Sequence, residues 1–208
     1  NDAKKVADKI GIPLYRIDFI KEYWDNVFKF FVDEYKKGRT PNPDILCNKY
    51  IKFDCFLDFA MEQGFDMIAT GHYIKAVDGP IRRYYKASDL NKDQSYFLAQ
   101  VSKKALDKCL FPLGDIYKPR VRELAEELNL SIAKKKDSTG ICFIGERDFR
   151  KFLSNYIPMK PGKIIDIDTL EEIGDHNGVY YYTVGQRKGF GVGGNRGPYF
   201  CVGKNIEH

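Results

Sequence analysis

The segment Asp66–Tyr73, DMIATGHY, decides the fold class of this chain. Its apolar half lies between Gly64 and Gly71, a pattern typical of a strand buried in a parallel sheet. Gly71 and His72 then fall at the carboxyl end of that strand, where open α/β sheets bind ligands. Glycine at this point would let a nucleotide approach the backbone closely, although a strand-ending turn with a hydrogen-bonded histidine fits the same residues. The segment therefore predicts an α/β domain and leaves the ligand open.

Helical patterns lie on the amino-terminal side of this strand. The first residues form an amphipathic helix that stops at Gly11, and Leu14 to Asp18 has the pattern of a β-strand. Apolar side chains recur at helical spacing from Glu22 to Tyr35, which is typical of a buried face. A further helix is predicted from about Asp44 to Gln63. Because the chain enters its α/β domain halfway through a βα repeat, earlier strands of the same sheet are expected upstream.

On the carboxyl-terminal side, a hairpin and two helical patterns follow. The hairpin is predicted to turn at Asp78 and Gly79. Helical patterns then run from Asp93 to Lys108 and from Pro119 to Leu128, the second with proline at its first helical position.

A change of pattern near residue 145 predicts a second domain. One more helix is followed by the short β-rich runs KIIDI, GVYYYTV and PYFCVG, which glycine and proline separate. The tyrosines Tyr180–Tyr182 are predicted to lie in a strand, with side chains on alternate faces. We therefore divide the chain into an α/β domain at residues 1–145 and a small β-rich domain at residues 146–208.

The composition indicates the broad class of protein but says little about its function. The chain has 208 residues, 43% of them apolar, so it can bury a sizeable core. Its formal net charge of +5 favours a polyanionic partner but is no nucleic-acid signature by itself. No stretch reaches the roughly 18 apolar residues of a membrane span. Five cysteines without metal-ligand or disulfide-framework spacing fit reduced thiols, so a cytoplasmic protein without membrane association is expected.

The run PNPDILCN places a cysteine one turn into a helix. Asn42 is suited to the N-cap, Pro43 to the first helical position and Asp44 to the first turn, with Cys47 one turn further on. The helix field lowers the pKa of the thiol, whereas the nearby carboxylate raises it, and the sequence does not decide between them. A small buried cysteine in a capped helix is the other interpretation.

A second cysteine, Cys142, lies in the apolar segment ICFI between Gly140 and Gly145. A cysteine among isoleucine and phenylalanine is usually part of a core. The basic run Lys134–Lys136 just before it could instead form an electropositive loop that stabilises a thiolate or a persulfide. The remaining cysteines are interpreted as structural: Cys55, Cys109 and Cys201.

Two further segments could contact nucleic acid. Lys92, Asp93 and Gln94 come just before a predicted helix, where backbone N–H groups can meet phosphate, although an N-cap explains Asp93 equally well. The run GFGVGG formally matches a dinucleotide motif, but no helical pattern follows, so it is not a dinucleotide site. Basic residues around that run could track an RNA backbone or form a solvated loop: Arg187, Lys188 and Arg196.

Five segments, in this order, resemble one protein family: GRTPNPDILCN (38–48), ATGHY (69–73), NKDQSYFL (91–98), DSTGICFIGE (137–146) and YYTVGQRKGFGVGG (181–194). Together they are similar to the tRNA-specific 2-thiouridylases of the MnmA type. The resemblance implies a partial ATP-pyrophosphatase-type parallel-sheet domain followed by a small β-rich central domain. It also implies an activity that needs ATP and Mg²⁺ and transfers a persulfide sulfur to C2 of the wobble uridine of tRNA.

The resemblance also implies roles for individual residues. Cys142 would carry the persulfide, Cys47 would complete the transfer and form a disulfide with it, and Asp44 would act as acid or base. Gly71 would contact ATP. The residues implied to contact tRNA are Asn42, Pro43 and Asp44 at the target base, with His72, Lys92, Asp93 and Gln94 elsewhere. A protein that donates the persulfide sulfur is the implied partner besides tRNA, and no metal ligand is assigned.

The sequence departs from the family pattern at both ends. No SGGVDSS-type phosphate loop occurs, and the chain stops where the family's carboxyl-terminal barrel would begin. These 208 residues alone are therefore expected not to adenylate RNA, and ATP-dependent release of AMP by them would contradict this. Two alternatives stay open: a tRNA-binding module, and another ATP-pyrophosphatase-type ligase that needs neither thiol.

Overall fold

The computed structural model describes residues 2–137, 148–193 and 198–206. The packing divides the chain into two compact units. The first unit comprises Asn1–Val27 and Asp44–Ser138, and the second comprises Phe28–Pro43 and Thr139–His208. The packing thus adds residues 28–43 to the carboxyl-terminal part of the chain, which the sequence did not indicate. The sequence division into residues 1–145 and 146–208 stays a prediction.

The regular elements are short, and five α-helices precede the first strand. The α-helices are α1 (Asp2–Ile10), α2 (Ile20–Tyr23), α3 (Lys29–Lys36), α4 (Pro43–Cys47), α5 (Phe56–Glu62), α6 (Lys103–Leu106), α7 (Lys118–Glu127) and α8 (Phe149–Leu153). Within the described residues, the other helical elements are two π-helical stretches, Trp24–Phe28 and Asn48–Cys55, and two 3₁₀ turns, Ser95–Leu98 and Val179–Tyr181. The strands are β1 (Ile68–Ala69), β2 (Ile74–Val77), β3 (Arg83–Lys86), β4 (Cys109–Leu110), β5 (Gly162–Ile165) and β6 (Glu172–His176).

The predicted strand in DMIA is β1, and its parallel pairing establishes the α/β character of the first unit. Ile68 lies opposite Cys109 and Ala69 opposite Leu110 on β4. Ile68 and Cys109 are both buried, which is the environment that a parallel pair requires.

The helical segment from α4 to α5 covers this strand pair and begins and ends as predicted. It starts at Pro43, and Gly64 follows its end with a positive φ of 86° that favours glycine. Its inward-facing residues include Phe53, Leu57 and Ala60, which pack in one core with Ile68 and Cys109. This core supports the edge of the sheet at which the ATGHY segment emerges.

The predicted hairpin and the second predicted helix are also present in the first unit. Strands β2 and β3 are antiparallel, with Ile74 opposite Lys86 and Val77 opposite Arg83. Helix α7 has proline at its second position rather than its first. Asn129 follows the helix with a positive φ of 54°, a conformation that asparagine tolerates.

Two predictions for the first unit were wrong. Leu14 to Asp18 is not a strand, because the segment is exposed and no described residue pairs with it, and a strand needs a partner. The predicted helix from Asp93 to Lys108 is instead a 3₁₀ turn and the short helix α6. Ser102 is extended between them and accepts a hydrogen bond from the Ala105 amide, so it caps a new helix rather than continuing the first.

Aromatic side chains form the centre of the second unit. The ring of Phe31 on α3 lies 6.2 Å from Phe149 on α8, edge to face, and 4.9 Å from Tyr35. Phe28 packs 4.8 Å from Tyr156. Phe31 and Leu153 are completely buried, so the predicted apolar face of this helix is indeed a core face.

The β-rich part of the second unit contains fewer strands than predicted. Strands β5 and β6 pair antiparallel, which accounts for the KIIDI run. Tyr180 and Tyr181 lie in a 3₁₀ turn rather than a strand, because packing of Tyr181, whose hydroxyl donates to the Ile157 carbonyl at 3.0 Å, overrides strand propensity. The PYFCVG run forms no strand either: Cys201 exchanges backbone hydrogen bonds with Gly185 and Gln186, but this pairing does not extend along the run.

Candidate functional site

Cys47 is the last residue of α4 and lies inside an apolar cluster. Only 7% of its surface is exposed, and it packs with Val27 and Ile51. Partly buried aromatic residues close the cluster, among them Phe19, Tyr23 and Tyr50. A nucleophile must reach its electrophile, so this thiol can react only after the cluster opens.

We expect Cys47 to react with iodoacetamide about tenfold or more slowly than Cys201 in the native protein. An opening that costs about 1.4 kcal/mol already slows the reaction tenfold, and Cys201 is only partly buried. Mass spectrometry of timed alkylation would measure both rates, with the urea-unfolded protein as the control in which the rates converge. Equal native rates would contradict the buried position of Cys47.

The residues just before Cys47 lie as the sequence predicted. Pro43 is the first residue of α4 and is buried, and Asp44 lies in the first turn and is partly exposed. Asn42 immediately precedes the helix and is also partly exposed. Asp44 and Cys47 are three residues apart on one α-helix, so they share a face. The roles predicted for these side chains stay predictions.

A π-helical stretch begins directly after Cys47 and was not predicted. It runs from Asn48 to Cys55, and Phe53 inside it has a non-helical φ of −107°. The buried Asn48 amide donates to the Phe97 carbonyl at 3.0 Å, while its oxygen has no hydrogen-bond partner among the described residues. The helical segment is therefore kinked at Phe53, and such a kink leaves no residue pattern by which this sequence would reveal it.

Gly71 and His72 lie at the carboxyl end of β1, as predicted. Gly71 is exposed. The His72 ring lies 5.3 Å from the Phe53 ring, and its Nδ1 is 3.1 Å from the Thr70 hydroxyl. Burial, with a smaller effect from the Lys52 charge, lowers the pKa of His72 to about 4. His72 is therefore neutral near pH 7 and can offer a hydrogen bond, but no positive charge, to a ligand.

The three residues Lys92, Asp93 and Gln94 have partners within the first unit. Gln94 exchanges two hydrogen bonds with the Tyr73 backbone, at 2.9 and 3.0 Å. Asp93 accepts from the Ala87 amide at 2.8 Å and from the Ser95 hydroxyl at 2.7 Å. The N-cap interpretation of Asp93 was wrong, because Gln94 occupies the cap position of the following turn. Gln94 and Asp93 thus tie this segment to the ATGHY segment and to β3.

Lys92 is the member of this trio that presents a charge at the surface. Its side chain is 40% exposed, and its Nζ lies 2.9 Å from an Asp137 oxygen. The tRNA contacts predicted for Lys92, Asp93 and Gln94 stay predictions.

Cys142 falls among residues 138–147, which lie outside the described part of the chain, as does Arg196 in the glycine-rich loop. No disulfide joins the cysteines that the structure describes. Within residues 2–137, 148–193 and 198–206, no group of three or more histidine, cysteine or carboxylate side chains is arranged to hold a metal ion. None of the described helices has the length and apolarity needed to cross a membrane.

The chain combines a parallel-sheet α/β unit, which contains a buried thiol, with a small β-containing unit. The chain belongs to the family described as the tRNA methyl transferase HUP domain, whose model matches residues 1–146. A second model, the tRNA methyl transferase PRC-barrel domain, matches residues 150–208. The predicted fold class, an ATP-pyrophosphatase-type parallel-sheet domain followed by a small β-rich domain, is thereby confirmed.

The relatives of this chain carry a more particular name. It is 59% identical to the tRNA-specific 2-thiouridylase MnmA of Mycoplasmopsis synoviae and 59% identical to that of Metamycoplasma arthritidis, in each case over 99% of this chain. It is 54% identical to the protein of the same name from Streptococcus mutans. The resemblance predicted from the five segments is confirmed. The chain spans 55% of the length of the two mycoplasma relatives.

Proposed function

We propose that the protein, at its full natural length, replaces oxygen by sulfur at C2 of the wobble uridine of tRNA. The observation that supports this most directly is the 54 to 59% identity, over nearly the whole chain, with proteins named tRNA-specific 2-thiouridylase. The family description names methyl transfer instead. Thiolation is favoured because the relatives are similar over both units of this chain and because two cysteines lie in chemically distinctive segments.

ATP, when bound, would supply the group that turns O2 of the uridine into a leaving group, with Mg²⁺ balancing the phosphate charge. The residues present fit one edge of such a site. A Cβ at Gly71 would have ordinary contact at 4.0 Å with Leu113, so the backbone there is open to a ligand. The sequence contains no SGGVDSS-type loop, so this chain supplies no recognisable phosphate cradle of its own.

Sulfur transfer is assigned to the two cysteines. The terminal sulfur of a Cys142 persulfide attacks C2, and a C–S bond forms as the bond to the activated oxygen breaks. The Cys47 thiolate then attacks Cys142 Sγ. The bond between the two persulfide sulfurs breaks, its electron pair stays on the sulfur at C2, and a Cys47–Cys142 disulfide forms. A dithiol reductant restores both thiols before the next turnover.

The other predicted residues would assist this transfer. Asp44, on the same helix face as Cys47, would accept the thiol proton. Asn42 and Pro43 would contact the target base, and His72, as a neutral imidazole, would contact tRNA together with Lys92, Asp93 and Gln94. Because Cys47 is 7% exposed, the transfer requires its apolar cluster to open when the uridine enters. A persulfide-donating protein would load Cys142, and free thiols at Cys55, Cys109 and Cys201 suit a reducing cytoplasm.

The test is nucleoside analysis after incubation of the full-length protein with ATP, Mg²⁺, a persulfide source and unmodified tRNA. We expect a uridine carrying sulfur in place of one oxygen, formed only with ATP, and one extra sulfur atom mapped to Cys142 in the loaded protein. A methylated uridine would contradict thiolation in favour of methyl transfer. Tight tRNA binding without any modified nucleoside would favour the alternative of a binding module, and ATP cleavage with a small substrate would favour another ligase.

A further inference from the structure

The first unit contains a cluster of three cations around one carboxylate. Lys92 Nζ lies 2.9 Å from one oxygen of Asp137, while Lys118 Nζ and an Arg122 guanidinium nitrogen lie 3.2 and 3.4 Å from the other. We call Lys92, Lys118 and Arg122 the cation cluster. Its three positive charges exceed the single negative charge of Asp137, so the group keeps a net positive charge. These side chains are 27% to 44% exposed, so a ligand can reach them.

Stability does not explain this arrangement. Ion pairs between partly exposed side chains contribute little to stability, and three cations around one carboxylate also repel one another. The cations favour the charged form of Asp137 and lower its pKa to about 2, with Lys92 the largest influence and Lys118 the next. The carboxylate is therefore charged throughout the physiological range and acts as a permanent anion among the cations.

The buried carboxylate of Asp89 holds the backbone that carries the cation cluster in place, independently of Asp137. Asp89 is only 6% exposed and accepts from the Lys118 amide at 3.0 Å and from the Asn91 amide at 3.2 Å. The Lys92 amide in turn donates to the Asp89 carbonyl at 3.0 Å. Asp89 thus joins the start of α7 to the turn that carries Lys92. Arg122 lies one helical turn beyond Lys118, on the same face.

Tyr73 adds a second polar group beside the cluster. Lys118 Nζ lies 5.9 Å from the centre of its ring, and Gln94 binds its backbone. The Tyr73 hydroxyl is buried and has no hydrogen-bond partner among the described residues. A buried hydroxyl without a partner is costly, and an anion is the kind of hydrogen-bond acceptor that would satisfy it.

We propose that the cation cluster binds a phosphate of the tRNA backbone and that Asp137 holds the place of that phosphate in the free protein. A phosphodiester, like a carboxylate, presents two oxygens that share one negative charge, so it can replace Asp137 among the same three donors. The inference rests on the proposed function for its ligand. It adds Lys118 and Arg122 to the tRNA-contacting residues and gives Asp137 the role of a placeholder.

Binding of tRNA to the full-length protein tests the cluster, separately from thiolation. The variant Lys118→Ala/Arg122→Ala is expected to bind tRNA about tenfold or more weakly and to reduce the slope of log K against log salt by about one to two. Arg120→Ala is the matched control: it lies on the same helix but is paired with Glu123 and Glu127, and should bind as the wild type does. If the double variant loses no more tRNA affinity than Arg120→Ala does, the proposal is overturned.

The variant Asp137→Asn tests the placeholder role. Removing the competing charge is expected to tighten tRNA binding about two- to fivefold, because a partly exposed ion pair contributes up to about 1 kcal/mol. Weaker binding would mean that Asp137 organises the cluster for another purpose, and would overturn this role.

Measuring ATP binding in the absence of RNA distinguishes a phosphate of the tRNA backbone from a phosphate of ATP as the ligand of the cation cluster. We expect ATP affinity to be unchanged in the Lys118→Ala/Arg122→Ala variant, and a loss confined to ATP would overturn the assignment to RNA. If the wild type binds tRNA and the variants behave as expected but no thiolated uridine forms, the proposed function fails while the cluster stands.

Discussion

Replacing Cys47 or Cys142 by serine in the full-length protein is expected to lower formation of 2-thiouridine by about 1000-fold or more. A serine hydroxyl cannot carry a transferable sulfur at position 142. At position 47 it cannot form the disulfide that, in the proposed mechanism, releases sulfur to the base. Because the proposed mechanism places the two thiols in one sequence of bond changes, the double variant should lose little more than either single variant. The measurement is single-turnover thiolation of tRNA with a preloaded sulfur donor.

Cys201→Ser is the control for this experiment. Cys201 is partly buried in the second unit, where its thiol donates to the Gly203 carbonyl at 3.5 Å, a weak contact that serine can replace. This variant should thiolate tRNA at the wild-type rate. Binding of tRNA by the Cys47→Ser variant should also be unchanged, since the loss is in chemistry. Retention of more than about a tenth of the activity in either single variant would reject the two-thiol mechanism.

Replacing Phe31 by alanine is expected to lower the free energy of unfolding by about 3 to 5 kcal/mol, the range for deleting a fully buried aromatic ring. Phe31 has 0% exposure and contacts the rings of Phe28, Tyr35 and Phe149. The cavity left by its ring cannot close easily, because rigid aromatic neighbours surround it. The second unit should therefore lose much of its stability. Urea unfolding, followed by circular dichroism and tyrosine fluorescence, measures this effect.

The neighbouring Phe30 provides a matched control on the same helix. It is 47% exposed, so Phe30→Ala removes a ring of the same size without opening a cavity. We expect a change within about 0.5 kcal/mol. Similar losses for Phe30→Ala and Phe31→Ala would mean that helix propensity, rather than packing, determines the effect.

The sequence predicted those features that depend on neighbouring residues. The DMIA strand, the start of a helix at Pro43, its end at Gly64 and the hairpin at residues 74–86 were all visible as local patterns. Each depends on a signal within a few residues, such as a glycine with positive φ or a run of apolar side chains.

Features that depend on distant partners were not visible. Helical spacing showed that Phe31 faces a core, but the same spacing would suit a core in either unit. The run from Leu14 to Asp18 had the pattern of a strand, yet a strand requires a neighbour that the pattern does not identify. The burial of Cys47 depends on Val27, whose position in space no local rule supplies.

For the same reason, the sequence predicted only part of the candidate site. Motif resemblance singled out Lys92, but Lys118 and Arg122 lie in an ordinary helical pattern, and their link to Lys92 passes through the distant residues Asp89 and Asp137. The irregular helical stretch after Cys47 was not predicted either, since no Pro or Gly in the sequence marks its kink at Phe53.

The allocation of Phe28–Pro43 to the second unit has a consequence for chimeric proteins. The polypeptide passes from one unit to the other at residues 27/28, 43/44 and 138/139, so no single cut yields two intact halves. A hybrid that imports only the carboxyl-terminal module of a homologue would set a foreign α8 against the native Phe28 and Phe31. Grafts that also carry residues 28–43, which include α3, should recover a native core.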